Sequence, residues 1–251
     1  MITSQKSRWF EAVFSRYNKH YLLKRHFHAV SMRGELDQVP ADRPLLLIMN
    51  HSCWWDGLLV YHMIRSESQR RHYMMMDERQ MKRYAFFRRI GAFSVNKENL
   101  REMAASLRYA AGLLRSGGAV WLFPQGDIFH LESRPLQFQT GIGYLLERCP
   151  DAAVLPVSLY YTMGLHQKAS ATFSIGSRIE DDWRALGRKE AAMLLERKLE
   201  EQLDEHRLAV IAGADGERDG FRPLLATGRS VNETFDQMKG RAARWKSFFG
   251  R

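Results

Sequence analysis

The run Leu45-Leu46-Leu47-Ile48-Met49 has no polar position on either side of an extended chain. A strand that is apolar on both faces requires both faces of its sheet to be covered, as in a parallel sheet packed between helices. The remaining pattern obeys this constraint. Strand-like stretches at 73–76, 93–95, 119–123, 154–160 and 172–175 alternate with helix-like stretches at 57–65, 78–89, 100–115, 141–148 and 181–208. Such alternation predicts an α/β fold, with a mostly parallel central sheet flanked by helices. In the stretch 100–115 the stripe Met103, Leu107, Ala111 and Leu114 faces inward, and Gly117-Gly118 stops the helix. Pro156 lacks an N–H, so the stretch 154–160 is expected at a sheet edge or a bulge.

Both ends of the chain read differently from this centre. Residues 8–30 carry Trp9, Phe10, Val13, Phe14, Tyr17, Tyr21 and Leu22 at helical spacing, among Arg8, Arg16, Lys19, Lys24 and Arg25. That pattern predicts a basic amphipathic helix, suited to docking on a membrane interface. The tail from Val231 to Arg251 repeats it, after a glycine-rich polar linker at 213–220. The expected organisation is therefore a helical N-terminal docking region at 1–35, an α/β domain at 36–212, and a linker with a basic C-terminal helix at 213–251.

A net charge of +10 calls for a polyanionic partner: anionic membrane lipid, nucleic acid or an acidic small molecule. Because the cations gather in aromatic amphipathic ends, anionic lipid is the expected partner and nucleic acid is not. No apolar run approaches the ~20 residues of a spanning helix, and the N-terminus lacks the apolar core of a signal peptide. The expected location is the cytoplasmic face of a membrane, peripherally bound. The only two cysteines, Cys53 and Cys149, have no metal-ligand spacing, so neither a disulfide nor a metal site is expected.

Directly after the run 45–49 stands Asn50-His51-Ser52-Cys53-Trp54-Trp55-Asp56-Gly57. Ligand crevices of open α/β sheets lie at the carboxyl ends of strands, and His51 falls there. A histidine takes up a proton near neutral pH, and a carboxylate beside it fixes its tautomer and stabilises the imidazolium. The spacing alone decides nothing, since His72 and Asp77 share it. That second pair would lie along one strand, where an odd separation sends the two side chains to opposite faces. His51 and Asp56 instead span a strand end and a helix start, with Asn50 or Ser52 as its cap, where the chain can curl them together. Trp54 and Trp55 either line a substrate channel or pack under the first helix.

Three further pieces follow in order: Gly91-Ala92-Phe93-Ser94-Val95-Asn96-Lys97, Phe123-Pro124-Gln125-Gly126, and Val154-Leu155-Pro156-Val157. Together with Asn50 to Asp56 they resemble the glycerophosphate and lysophospholipid acyltransferase superfamily, with its N-H-x4-D block, Gly-Phe-basic block, F-P-E-G-T-R block and proline-containing strand. The resemblance implies a peripheral O-acyltransferase. His51 would deprotonate an acceptor hydroxyl, Asp56 would orient His51, and the alkoxide would attack the thioester of acyl-CoA or acyl carrier protein. It also implies substrate contacts from Asn50, Gly91, Phe93, Lys97, Pro124, Gln125 and Gly126, with no metal and no tightly bound cofactor. Oxyanion donors are expected from backbone N–H groups around Gly126 or at the helix start after His51. The thioester needs no enzyme nucleophile, so Cys53 takes no covalent role.

The chain departs from that pattern in the third block. Gln125 stands for the usual glutamate, Asp127-Ile128 for Thr-Arg, and Lys97 for the arginine of the second block. Arg134, a few residues on, is a candidate substitute cation, as are Arg88 and Lys97, unless it is only a surface charge. The acceptor is then either a lysophospholipid or acylglycerol-phosphate, or a non-phosphate lipid such as a lyso-aminolipid, a glycolipid or a carotenoid glycoside. A basic nucleic-acid-binding protein is the alternative outside this class.

Overall fold

The computed structural model describes residues 1–164, 166–213 and 220–225, together with residues 235, 238 and 239. Residues 214–219 of the linker predicted at 213–220 and nearly all of the predicted C-terminal helix lie outside the described residues. The elements run in the order α1 (Arg8–Tyr17), α2 (Lys24–His26), β1 (Phe27–Arg33), β2 (Leu45–Met49), α3 (Asp56–Glu67), β3 (His72–Asp77), α4 (Glu78–Arg83), β4 (Ala92–Val95), α5 (Leu100–Arg115), β5 (Ala119–Leu122), α6 (Gly141–Arg148), β6 (Ala153–Thr162), β7 (Ala169–Ile175), α7 (Trp183–Leu186), α8 (Arg188–Ala212) and β8 (Arg222–Leu225). The strands form one sheet in the order β4-β3-β5-β2-β6-β7-β1-β8. From β4 to β6 all neighbours are parallel, β7 is antiparallel to β6, β1 runs parallel to β7, and β8 closes the edge antiparallel to β1. The five parallel strands thus place their carboxyl ends along one rim.

Each face of β2 is buried, as its composition demands. Leu45, Leu47 and Met49 pack with Leu59, Val60 and Met63 of α3, while Leu46 and Ile48 pack with residues of α5, α6 and α8 on the other face. At ~25 cal/mol per Å² of buried apolar surface, this double layer is the main source of the fold's stability. No described helix is long and apolar enough to cross a membrane.

Three expectations need correction. The helical pattern at 8–30 ends early: after α1 the chain passes through a π-helical turn (Asn18–Leu23) and α2, and then enters the sheet as β1. Phe27, Val30 and Met32 are buried there, opposite β7, so the sheet takes in residues that the division at 35 had set with the helical region. Second, the stretch 181–208 is two helices, broken at Gly187 with φ 78°, and α4 gives way to a 3-10 turn (Ala85–Ile90). Third, Pro156 lies in an interior strand, paired across β2 with Ile48. Its carbonyl accepts the Gly176 N–H at 2.9 Å, on the β7 side. The ladder with β7 begins only at Val157 opposite Ile175, so the N–H that proline lacks would have faced the end of the ladder. An interior proline is tolerated because no ladder bond is lost.

His72, the decoy of the sequence pattern, is a core residue. The indole N–H of Trp121 donates to its Nδ1 at 2.9 Å, which leaves the proton on Nε2, 2.7 Å from the Ser68 hydroxyl. Burial holds its pKa down to about 3. Between pH 6.5 and 3 the unfolded chain therefore binds a proton that the folded chain refuses, and stability falls as the pH falls, by up to about 1.4 kcal/mol per unit. Urea midpoints at pH 7 and pH 4.5 should show this slope, and His72→Gln should flatten it. Equal slopes in both proteins would assign the acid sensitivity to other groups.

Candidate active site

The site follows from strand order. β2 lies between β5 and β6, so the loop leaving β2 is flanked by the loop leaving β5 and by the last turn of β6. Asn50 bridges the gap to β6: its side-chain amide donates to the Leu159 carbonyl and accepts the Leu159 N–H, both at 2.9 Å. It is buried and acts as an extension of the ladder. The chain then turns, and α3 begins at Asp56 with Trp55 as its N-cap residue and no side-chain cap. Neither Asn50 nor Ser52 caps it. Asp56 reaches back over the turn, and its Oδ2 accepts the Ser52 N–H at 2.8 Å and the Cys53 N–H at 3.1 Å.

That same oxygen lies 2.7 Å from His51 Nδ1. Asp56 is 0 % exposed, and its Oδ1 accepts the hydroxyl proton of Tyr161 from the end of β6. Burial, and then the Asp56 charge, push the Tyr161 hydroxyl well above its ordinary pKa, so it stays a donor. Four donors thus converge on one buried carboxylate. With Nδ1–H committed to Asp56, Nε2 of His51 carries the lone pair. The ring stacks on Phe123 with centroids 4.3 Å apart and planes 24° apart, and the imidazole remains partly exposed. This is the arrangement of an oriented general base.

The third block wraps His51 from the other side. Gln125 Oε1 accepts the His51 N–H at 2.8 Å, and the Phe129 N–H donates to the His51 carbonyl at 2.9 Å. Pro124 leads the turn, its carbonyl accepting the Gln139 N–H at 2.8 Å. Gly126 closes it with φ 81°, where a Cβ would be strained and would crowd Gln139 Cγ at 3.3 Å. The loop's exposed apex is Asp127-Ile128. From the second block, Lys97 reaches Asp77 at 3.5 Å and Asp127 at 3.8 Å. Gly91 has φ 111°, and a Cβ there would stand 2.7 Å from the His72 carbonyl. It is a tight backbone crossing, while Phe93 is a core side chain set edge-on to Tyr109 at 5.3 Å. Arg134 turns away: its guanidinium holds Asp204 of α8 at 2.7 Å and the Leu131 and Ser133 carbonyls at 3.1 and 2.9 Å.

Of the residues singled out from sequence, His51, Asp56, Gln125 and Gly126 come together, and Pro124 shares their loop. Lys97 joins through Asp127. Asn50, Gly91 and Phe93 take structural positions, and Arg134 is bound to α8. The helix-start N–H groups expected to serve an oxyanion are used by Asp56, and the Gly126 N–H donates to the Phe123 carbonyl at 3.0 Å. Tyr161 and Phe123 were missed as members of the site. Phe123 was part of the third block, but Tyr161 reaches Asp56 from 105 positions away. Cys53 sits half-buried beside Tyr161. Trp55 is half-buried, edge-on to Phe27 at 5.4 Å and against His26 at 4.7 Å, and Trp54 projects outward from it at 50 % exposure.

The Acyltransferase family model matches residues 32–160, just over half of the chain and all four blocks. The chain belongs to the Acyltransferase family. No curated protein matches the sequence significantly. Among solved structures, the crystal structure of the pilus retraction motor PilT with bound ADP aligns at 12% identity and a TM-score of 0.30. That alignment covers 83% of this chain and 65% of the PilT chain, a likeness too weak to bear on fold or function.

Proposed function

We propose that this acyltransferase moves an acyl chain from a thioester carrier, acyl-CoA or acyl carrier protein, to the hydroxyl of a lipid at a membrane surface. The observation that carries the reading is the His51 Nδ1 to Asp56 contact at 2.7 Å, on a ring whose Nε2 has no hydrogen-bond partner among the described residues. His51 Nε2 takes the hydroxyl proton, the acceptor oxygen attacks the thioester carbonyl carbon, the C–S bond breaks, and the leaving thiolate recovers the proton from the imidazolium. Radiolabelled palmitoyl-CoA incubated with the protein and a total lipid extract should label an acceptor lipid. Absence of label with both acyl-CoA and acyl carrier protein donors would sink the reading.

The charges around the loop favour an acceptor without a terminal phosphate. Lys97 is shared between Asp77 and Asp127, and Arg134 is held by Asp204. A phosphate there would meet the Asp127 carboxylate instead of an arginine fork. A glycolipid, a lyso-aminolipid or a carotenoid glycoside fits this electrostatic setting better than lysophosphatidate does.

Membrane residence has support in the way the N-terminal helices divide their aromatics. Phe10 and Phe14 pack inward on Phe86 and Tyr61, so the segment has already spent one apolar face on the domain. A second stripe, Trp9, Val13, Tyr17 and Tyr21, faces out at 73%, 48%, 47% and 50% exposure. Exposed Arg16 and His20 lie on it, and Arg25 covers the Tyr21 ring at 4.7 Å. An apolar stripe with basic flanks is a fit for an anionic lipid interface on the cytoplasmic leaflet. Its aromatic content argues against nucleic acid as the main partner. Trp9→Ser with Tyr17→Ser should weaken binding to vesicles of mixed phosphatidylcholine and phosphatidylglycerol by about 10- to 100-fold. Cosedimentation checks this, and thermal stability should hold because neither ring is in the core.

A further inference from the structure

Between β5 and α6 the chain runs through residues 123–140 without a helix or strand, and α8 holds the far half of that loop. Glu200 Oε1 accepts the Leu136 N–H at 2.5 Å. Glu196 accepts the Gln137 N–H on Oε1 at 3.1 Å and the Phe138 N–H on Oε2 at 2.9 Å. Gln137 is held with φ 57°, a left-handed conformation that costs on the order of 1 kcal/mol and persists where the surroundings impose it. A left-handed residue turns successive N–H groups toward one point, a concavity that suits an anion, and the Glu196 carboxylate fills it. Asp204 takes Arg134 of the same loop at 2.7 Å. Glu196, Glu200 and Asp204 follow one another at helical spacing on one face of α8, where like charges repel. What they hold on the loop offsets that repulsion. Leu195, Leu199 and Leu203 beside them are fully buried, so α8 is a fixed base.

The held segment leads directly to the base. Gln139, the next residue, donates its N–H to the Pro124 carbonyl at 2.8 Å, and its Cγ lies 3.3 Å from where a Cβ on Gly126 would stand. Between these two is Gln125, whose Oε1 accepts the His51 N–H at 2.8 Å, and before them Phe123 stacks on the His51 ring. One line of contacts thus runs from α8 to His51. We propose that Glu196 and Glu200 are positioning residues for His51: by fixing residues 136–138 they seat Gln139 against Pro124 and Gly126, and so set Gln125 and Phe123 beside the base. The assignment rests on the acyl-transfer reading above. A displacement of about 1 Å at the reacting nitrogen can cost on the order of 100-fold in rate. Leucine at either position has no acceptor for the loop N–H groups, whereas glutamine keeps one in nearly the same volume.

The test compares the full chain with Glu196→Leu/Glu200→Leu, Glu196→Gln/Glu200→Gln and His51→Ala. Two quantities are read: CoA release from palmitoyl-CoA with a total lipid extract in detergent micelles, and amide hydrogen exchange of the His51 N–H by NMR. The leucine pair should lower kcat by about 10- to 100-fold with KM for palmitoyl-CoA within about twofold, and should speed exchange at His51 by about tenfold. The glutamine pair should stay within about fivefold of wild type in both. Glu200→Leu alone, with a smaller change in the same direction, covers the case in which the leucine pair does not fold. A leucine pair within about threefold of wild type in kcat, or one that changes only kcat or only exchange, would overturn the positioning role beside an inactive His51→Ala. So would equal losses in the leucine and glutamine pairs, or a raised KM at wild-type kcat. Wild-type CoA release no faster than that of His51→Ala would overturn the acyl-transfer reading and this role together.

Discussion

His51→Ala is expected to lower kcat by about 10³-fold while the protein melts within about 2 °C of wild type. The size of the loss follows from what the ring does. Asp56 takes the proton-bearing Nδ1, Phe123 fixes the ring plane, and the loop from Gln125 to Phe129 grips the His51 backbone at both of its polar atoms. All of this ordering fixes the direction of Nε2, and alanine removes the nitrogen while leaving the backbone grips in place. The small thermal effect follows from the ring's position at the rim, where it is partly exposed. Labelled transfer from palmitoyl-CoA to lipid, followed for both proteins, is the measurement. Transfer by His51→Ala at more than about a tenth of the wild-type rate would remove His51 from the chemistry.

Sequence pattern reached the dyad because its geometry is local. Five positions separate His51 from Asp56, and the turn that joins them is made from residues between the two, with Asp56 gathering the Ser52 and Cys53 N–H groups on its own carboxylate. Helix α5 was legible to the residue for the same reason: Asn99 caps its start, accepting the Arg101 and Glu102 N–H groups, and a glycine pair ends it. β1 was not legible. Its residues continue the aromatic spacing of α1, and only pairing with β7, more than a hundred residues on, makes them a strand. Pro156 misled for a related reason, because the end of the β7 ladder that excuses it is set by Gly176 and not by anything adjacent to the proline. Tyr161 belongs with these cases. A tyrosine at the end of a strand carries no mark of a carboxylate that arrives from another loop.

Asp56→Asn should be the most damaging single change, lowering kcat by about 10⁴-fold and destabilising the fold as well. The wild-type carboxylate takes hydrogen bonds from His51, Ser52, Cys53 and Tyr161. An asparagine has one acceptor oxygen and one amide nitrogen, so whichever way it turns, some of these donors face an N–H. Each buried donor left unpaired costs about 1–3 kcal/mol. If the oxygen keeps Ser52 and Cys53, then His51 Nδ1 also keeps an acceptor, but the amide nitrogen meets the Tyr161 hydroxyl, which must rotate to accept. If the amide is reversed, Nδ1 becomes an acceptor, the ring proton moves to Nε2, and the base loses the lone pair that would take the acceptor proton. The charge that stabilises the imidazolium is absent in both cases. Tyr161→Phe separates the two contributions, since it removes one donor and leaves the carboxylate: its kcat should fall by only about 10- to 100-fold, as one hydrogen bond to a charged group accounts for roughly 1.5–3 kcal/mol. A double-mutant cycle over Asp56→Asn and Tyr161→Phe, read in both kcat and melting temperature, should therefore be strongly non-additive, with the second change costing little once the first is made.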